Sequence, residues 1–190
     1  MNTVISVKHD EKFSQLILKT PIFENMNIQI RTATEHDIPA ILEITNHEIL
    51  HSTVLYEYEA RSLETQLAWF KDKQENAWPI IVAEQDGKVI GFGTYGPFRA
   101  RIAYQFSIEH SVYVHKDYRG KAIGNALLRD LIRQAKAGGF HTMIAGIDSS
   151  NMGSVEFHRK FGFEVVGTFT EVGFKFDTWL NVVFMQLMLE

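Results

Sequence analysis

The chain has 190 residues, enough for one domain with a sizeable core. Hydrophobic residues make up 45% of it, and 19 basic against 23 acidic residues give a formal charge of −4, which argues against bulk nucleic-acid binding. The lack of any cysteine excludes disulfides, zinc–thiolate sites and thiol nucleophiles.

Residues 1–26 do not share the pattern of the rest of the chain and read as an N-terminal arm, disordered or packed on a dimer. They hold a short amphipathic turn over Phe13, Leu16, Ile17 and Leu18, ended by Pro21. Lys8, Asp10, Glu11 and Lys12 leave no apolar signal core. The domain is read as 27–190, just after a second methionine, Met26. Ile28-Gln29-Ile30-Arg31 alternates like a strand. Thr34 with Asp37 predicts an N-cap for a helix through Ile38, Ile41, Leu42, Ile44 and Ile49, with Pro39 tolerated in its first turns. A second helix over about Leu63 to Lys73 carries Leu67 and Phe70 on one face. Ile80 to Ala83 and Lys88 to Tyr95 read as strands joined at Asp86-Gly87. Tyr104 to Val114 reads as one long strand with oddly placed polar residues. Ile123, Leu127, Leu131 and Ala135 recur at helical spacing until Gly138-Gly139. His141 to Ile147 is a strand, Asn151 to Phe161 a short helix, and Phe163 to Leu189 two strands around Gly173. The order β-α-α-β-β-β-α-β-α-β-β is mixed α/β, with six to seven strands in one sheet. The longest uncharged apolar run, Thr178 to Leu189, is too short for a membrane helix, so a soluble cytoplasmic protein is expected.

The run Val112-Tyr113-Val114-His115-Lys116-Asp117-Tyr118-Arg119-Gly120-Lys121-Ala122-Ile123-Gly124 passes from strand through a basic turn into a helix. Such a turn aims backbone N–H groups and the positive helix end at one point, which suits a pyrophosphate, with Arg119 and Lys121 adding charge. An ordinary strand-to-helix connection with solvated basic residues would look the same. In the strand before it, Phe106, Ile108, Val112 and Val114 share one face, and Ser107, Glu109, Ser111 and Tyr113 the other. That second face is either solvated or, as in most central strands, covered. If covered, burial raises the Glu109 carboxyl toward the range of a general base. His158 stands on the short helix among Val155, Phe157 and Phe161, as a structural or a catalytic histidine. Arg99 and Arg101, two apart in an extended segment with Tyr104 behind, read either as a clamp for an acidic acceptor or as a solvated loop. His47-Glu48-Ile49-Leu50-His51 has the His-Glu-x-x-His spacing of zinc proteases, but it falls at a helix end and no third ligand is marked. No metal is assigned.

The basic turn resembles the acetyl-CoA pyrophosphate loop of the GNAT N-acetyltransferase superfamily. The pattern there is Arg or Gln, two residues, Gly, one residue, Gly or Ala; here it stands as Arg119-x-x-Ala122-x-Gly124. Alanine in place of glycine predicts a loop that avoids positive φ at residue 122. Further motifs resemble the branch of phosphinothricin and methionine sulfone or sulfoximine N-acetyltransferases. They are Ile44-Thr45-Asn46-His47, Ser52-Thr53, Gly96-Pro97-Phe98-Arg99-Ala100-Arg101, Ser107 to Val114, and Asn151 to Phe163.

The resemblance implies a sheet whose two central strands splay apart. It implies acetyl-CoA as co-substrate, with Val112, Tyr113 and Val114 along its pantetheine and Arg119, Gly120, Lys121, Ala122, Ile123 and Gly124 at its pyrophosphate. Asn151 and Ser154 lie near the pantetheine. Glu109 and His158 become the catalytic pair, and Arg99, Arg101, Tyr104, Asn46 and Thr53 bind a small amine acceptor. A backbone N–H near Val112 would meet the thioester oxygen. A homodimer without nucleic-acid or membrane partners completes the expectation. A peptide N-terminus or a polyamine as acceptor, or a non-catalytic CoA-binding module, are the alternatives on the same scaffold.

Overall fold

The computed structural model describes residues 28–190. The N-terminal arm, and the amphipathic turn expected in it, therefore lie outside the described residues. Seven strands form one sheet: β1 (Ile28–Thr32), β2 (Ile80–Gln85), β3 (Lys88–Pro97), β4 (Ser107–Val114), β5 (Thr142–Asp148), β6 (Glu164–Lys175) and β7 (Thr178–Met188). Their spatial order is β1-β2-β3-β4-β5-β7-β6. Helices α1 (Ile38–His51) and α2 (Leu63–Glu75) follow β1, α3 (Ile123–Ala137) follows β4, and α4 (Met152–Arg159) follows β5. The element order is the one expected from the sequence.

The sheet is covered on both faces, which explains the unbroken apolar run of β2. Ile80 and Val82 pack with Ile38, Ile41, Ile44, Phe70 and Phe92 in the core under α1 and α2. Ile81 and Ala83 point the other way, into the core built by Ile123, Leu127, Leu128, Leu131 and Ala135 of α3. Each large aliphatic side chain so buried contributes roughly 1.5–3 kcal/mol, so α3, with its strong periodicity, is a main anchor of the sheet. The Thr34 N–H donates to Asp37 at 2.7 Å, a capping box that closes the short 3-10 turn Glu35–Asp37 leading into α1 rather than α1 itself, whose N-cap position is Asp37; Asp37 also receives the Arg31 guanidinium. The Asp86-Gly87 turn is present, with φ of 50° and 78°.

Three expectations change. The long strand begins at Ser107 rather than Tyr104; Ile102–Tyr104 is a single tight turn, and Phe106 is exposed. The closing hairpin turns at Phe176-Asp177, where both residues have positive φ. Gly173 lies inside β6, beside a register break, where a Cβ would overlap the Tyr56 ring. The glycine marks a close approach of the loop after α1, not a turn. Arg99 and Arg101 lie in a bent loop, not in an extended segment.

Strands β4 and β5 are parallel neighbours, yet they pair only at Ser107–Thr142, Ile108–Met143 and Glu109–Ile144. Beyond Glu109, β4 continues against β3 to Val114, while β5 continues against β7 to Asp148. The two strands splay, and the edge of β4 from His110 to Val114 is left without a strand on that side.

Candidate active site

A cleft of about 600 Å³ opens along this free edge. Val112, Tyr113 and Val114 form one wall, Arg119 one end, and Asn151 and Ser154 at the start of α4 the opposite side. Thr53 lines it as well. The structure thus brings together seven of the residues singled out from the sequence. The Asn151 side chain accepts from the Ser154 N–H at 3.0 Å and so caps α4, which holds both residues at the cleft. Five lining residues that sequence reasoning did not assign to a site are Glu48, His51, Ser52, Val54 and Phe176. Phe176 was hidden by the misplaced turn.

The basic turn leads into the N-terminus of α3, where the Asn125 N–H already donates to the Ala122 carbonyl and the N–H groups of Ile123 and Gly124 have no backbone acceptor among the described residues. Gly120 takes φ 75°. Ala122 takes φ 58° and ψ 12°, the left-handed conformation that alanine was expected to avoid. The chain must reverse direction there to start α3, and Ile123, fully buried, fixes the helix from its first residue. Gly124 faces Phe157 and Val114. The Lys121 ammonium lies 4.9 Å from the Tyr118 ring centroid. Arg119 is half exposed and pairs with the buried Glu48 carboxylate, which also accepts from the Ser52 hydroxyl at 2.9 Å. Free N–H groups with two cations fit a diphosphate, and the open β4 edge fits an extended amide-bearing arm such as pantetheine.

The strain at residue 122 predicts a gain. A β-carbon at positive φ costs more than glycine loses in the unfolded chain, so Ala122→Gly is expected to stabilise by about 1 kcal/mol. For a chain of this size that is a rise of roughly 2–4 °C in Tm, read by thermal unfolding, with acetyl-CoA affinity kept or improved. A lower Tm would contradict the left-handed geometry.

Glu109 is the last paired residue before the splay. Its Oε1 lies 3.2 Å from where a β-carbon on Gly146 would stand, so the absent side chain makes room for the carboxylate. Burial pushes the Glu109 carboxyl up, and the positive charge of Arg99 opposes this in part. A carboxyl so placed is suited to accept a proton. The Arg99 guanidinium stacks over Phe98 at 4.2 Å from its centroid, and the Tyr104 ring meets the same phenyl edge-on at 6.0 Å. Arg99, Arg101 and Tyr104 are all exposed.

His158 is not brought to Glu109. Its ring packs on His110, with centroids 5.1 Å apart, and on Phe163. His110 follows Glu109 in β4 and so points to the opposite face of the sheet. His158 Nδ1 lies 2.7 Å from the Ser154 carbonyl, which places the proton of the neutral ring on Nδ1. Burial lowers the His158 pKa, and that carbonyl opposes the shift. Burial, and then the neighbouring His158, lower His110 to about 3, and neither of its ring nitrogens has a partner among the described residues.

Both rings are therefore held neutral in the folded state, whereas an unfolded histidine titrates near pH ~6.5. Between the two values the unfolded chain binds more protons, so stability falls as the pH drops from about 6.5 toward the His110 value of about 3. Denaturant unfolding at stepped pH should show this slope, and His110→Leu should flatten it. An unchanged slope in the variant would mean that the pair is not the source.

Asn46 uses both ends of its amide on the Arg61 backbone, donating to the carbonyl at 2.9 Å and accepting from the N–H at 2.8 Å. It pins the loop between α1 and α2 rather than facing the cleft openly. The His-Glu-x-x-His spacing lies on α1, where the His47 and His51 rings stack at 4.7 Å and Glu48 is engaged with Arg119. Among the described residues no group of three or more histidines, cysteines or acidic residues is placed to hold a metal ion. No described helix is long and apolar enough to cross a membrane.

The acetyltransferase (GNAT) family model matches residues 41–163, which run from α1 through the cleft to the end of α4. The chain belongs to the GNAT family. The L-methionine sulfoximine/L-methionine sulfone acetyltransferase of Salmonella typhimurium strain LT2 is 39% identical to this GNAT chain over 85% of it and 94% of that protein. The phosphinothricin N-acetyltransferase of Alcaligenes faecalis is 36% identical, covering 83% of this chain and 80% of that one. Among solved structures, a GNAT superfamily phosphinothricin acetyltransferase from Sinorhizobium meliloti in complex with acetyl-CoA matches with a TM-score of 0.83 at 37% identity, over 86% of this chain and 89% of that chain. The splayed sheet, the basic turn and the free β4 edge are thus features of an acetyl-transferring GNAT enzyme.

Proposed function

We propose that this GNAT enzyme transfers the acetyl group of acetyl-CoA to the α-amino group of a small amino-acid-like acceptor, of the methionine sulfoximine, methionine sulfone or phosphinothricin kind. Transfer is direct, within a ternary complex. The observation that carries the reading is Glu109, half-buried at the vertex where β4 and β5 part, beside the free edge of β4. The substrates named for its relatives support the acceptor class.

The chemistry sets the roles. An α-ammonium must lose a proton before it attacks, and its pKa is far above that of a carboxylic acid. Glu109, raised by burial, takes that proton through a water. A backbone N–H near Val112, on the free edge, meets the negative charge that develops on the thioester oxygen; the adduct then collapses with cleavage of its C–S bond, and CoA leaves as a thiolate that takes up the proton shed by the attacking nitrogen. Arg119 and Lys121, with the α3 N-terminus, hold the diphosphate, and Asn151 and Ser154 hold the pantetheine side. Arg99, Arg101 and Tyr104 receive the acidic end of the acceptor; such cations count against a polyamine. Thr53 borders the acceptor, and Asn46 positions the loop that carries it. His158 acts as a positioning residue, since its ring is buried against His110 and holds the first turn of α4 through Ser154.

The enzyme is a homodimer in this reading. Val165, Phe169, Phe174 and Trp179 leave an exposed apolar surface on β6 and β7, the kind of surface that a second subunit covers. A cytoplasmic location agrees with the use of acetyl-CoA, and the charge of −4 agrees with a small-molecule rather than a nucleic-acid partner.

Thiol release from acetyl-CoA tests the reading against phosphinothricin, methionine sulfoximine, methionine sulfone, common amino acids, polyamines and a peptide, with and without a chelator. Release with the amino-acid-like acceptors, unaffected by chelator, is expected. Release only with polyamine or peptide, or with no acceptor, overturns it.

A further inference from the structure

A second cavity, of about 420 Å³, adjoins the cleft, and Thr53 and Phe176 line both. At its wall stands Asp148, the last residue of β5, only 7% exposed. Its Oδ1 accepts from the Ser150 N–H at 2.8 Å and from the Ser150 hydroxyl at 2.6 Å. Its Oδ2 is buried and has no hydrogen-bond partner among the described residues. Burial alone would raise the carboxyl, but the Ser150 contacts and the nearby Thr53 hydroxyl outweigh it and hold the pKa low. Asp148 is therefore a buried anion, and none of the ion pairs among the described residues includes it. Lys175, the cation that lines the same cavity, spends its three N–H donors on the carbonyls of Ile49, Ser52 and Leu55 at 2.7, 2.8 and 2.6 Å. A buried charge with one oxygen unmet is unfavourable unless a cation completes it.

The position says which cation. Asp148 and Gly146 share a face of β5, two residues or roughly 7 Å apart. The Glu109 carboxylate lies over Gly146 on that same face. Two carboxylates thus flank the end of the splay, one with a hydrogen-bond site unmet and one raised by burial. We infer that Asp148, with the Thr53 hydroxyl, forms the subsite that holds the ammonium group of the acceptor before its proton passes toward Glu109. The inference rests on the proposed amino-acid acceptor and adds the recognition of its amine. A carboxylate beside the ammonium favours its charged form, so Asp148 serves binding more than the proton transfer itself. Its loss should appear in the acceptor KM more than in kcat.

Asp148→Asn tests this, because asparagine keeps the Oδ1 contacts with Ser150 and removes only the charge. With methionine sulfone as acceptor, its KM should rise by about tenfold or more, with kcat and the acetyl-CoA KM changed by less than about threefold. The desamino analogue of methionine sulfone, used as a competitive inhibitor, should bind wild type and variant alike. An unchanged acceptor KM, or a parallel loss for the desamino analogue, overturns the subsite. If Asp148→Asn does not fold, Thr53→Val carries the same test: a raised acceptor KM with unchanged inhibition supports the subsite, and a flat KM overturns it. A wild-type enzyme that acetylates no amino acid overturns the acceptor reading and this subsite with it, an outcome distinct from loss of the subsite alone.

Discussion

Glu109→Gln is expected to lower kcat by roughly 10²–10⁴-fold at neutral pH, the usual range for loss of a general base. Glutamine has nearly the same shape, so it fills the space over Gly146 that the carboxylate fills now. It donates and accepts hydrogen bonds but takes no proton at useful pH. The fold and acetyl-CoA binding should survive, because the cleft is lined by Val112 to Val114, Arg119 and the start of α4 rather than by Glu109. Raising the pH should recover part of the lost rate, since more of the acceptor amine is then already neutral. In the wild type, burial places the acidic limb of the pH–rate profile above the ordinary glutamate range, and the variant should lack that limb. Stopped-time assays across pH measure both features. Wild-type kcat throughout would leave Glu109 as a polar residue of a covered strand. With His158 on the opposite face, the effect of His158→Ala should fall on cleft geometry and so reach acetyl-CoA KM, which a shared proton path would not require.

Where local chemistry decides the structure, the sequence was legible. The period of Ile123, Leu127, Leu131 and Ala135, the Asp86-Gly87 turn, and the alternation that sets Glu109 opposite Ile108 all appear in the fold. The places that were not legible depend on contacts between distant segments. Nothing near Gly173 marks Tyr56 as its neighbour, so a glycine that accommodates a ring reads as a turn. The actual turn, Phe176-Asp177, uses two residues with positive φ and no glycine, so Asp177 alone gives a turn signal and Phe176 argues against one. Ala122 is similar: residue type argues against the left-handed region, and the demand to begin α3 against a buried core overrides it. The pairing of Glu48 with Arg119 joins α1 to the basic turn 71 residues further along the chain. In the sequence Glu48 appears only as the second residue of a zinc-like spacing. Gly146 and Asp148 gain meaning only from what faces them across the splay.

The joint substitution of Arg119 and Lys121 by alanine is expected to weaken acetyl-CoA binding by about a hundredfold. Two charge-assisted contacts of roughly 1.5–3 kcal/mol each set the upper range, and solvent exposure reduces it. Arg119 is half exposed and Lys121 is exposed, so screening is strong. Fewer cations at the phosphates also means that the remaining affinity depends less on salt. A titration at two ionic strengths reads both effects. The buried Glu48 sharpens the test. In the free protein it pairs with Arg119, and a diphosphate must compete for that guanidinium. Without Arg119, Glu48 keeps only the Ser52 hydroxyl and presents an uncompensated negative charge at the end of the cleft. Glu48→Gln in the double-alanine background should therefore recover part of the lost affinity, and Glu48→Gln alone should tighten binding by freeing Arg119. If the double-alanine protein binds acetyl-CoA as the wild type does, the phosphates lie elsewhere. The pairing of Arg119 with Glu48 would then be a structural link between α1 and the turn, with no part in binding.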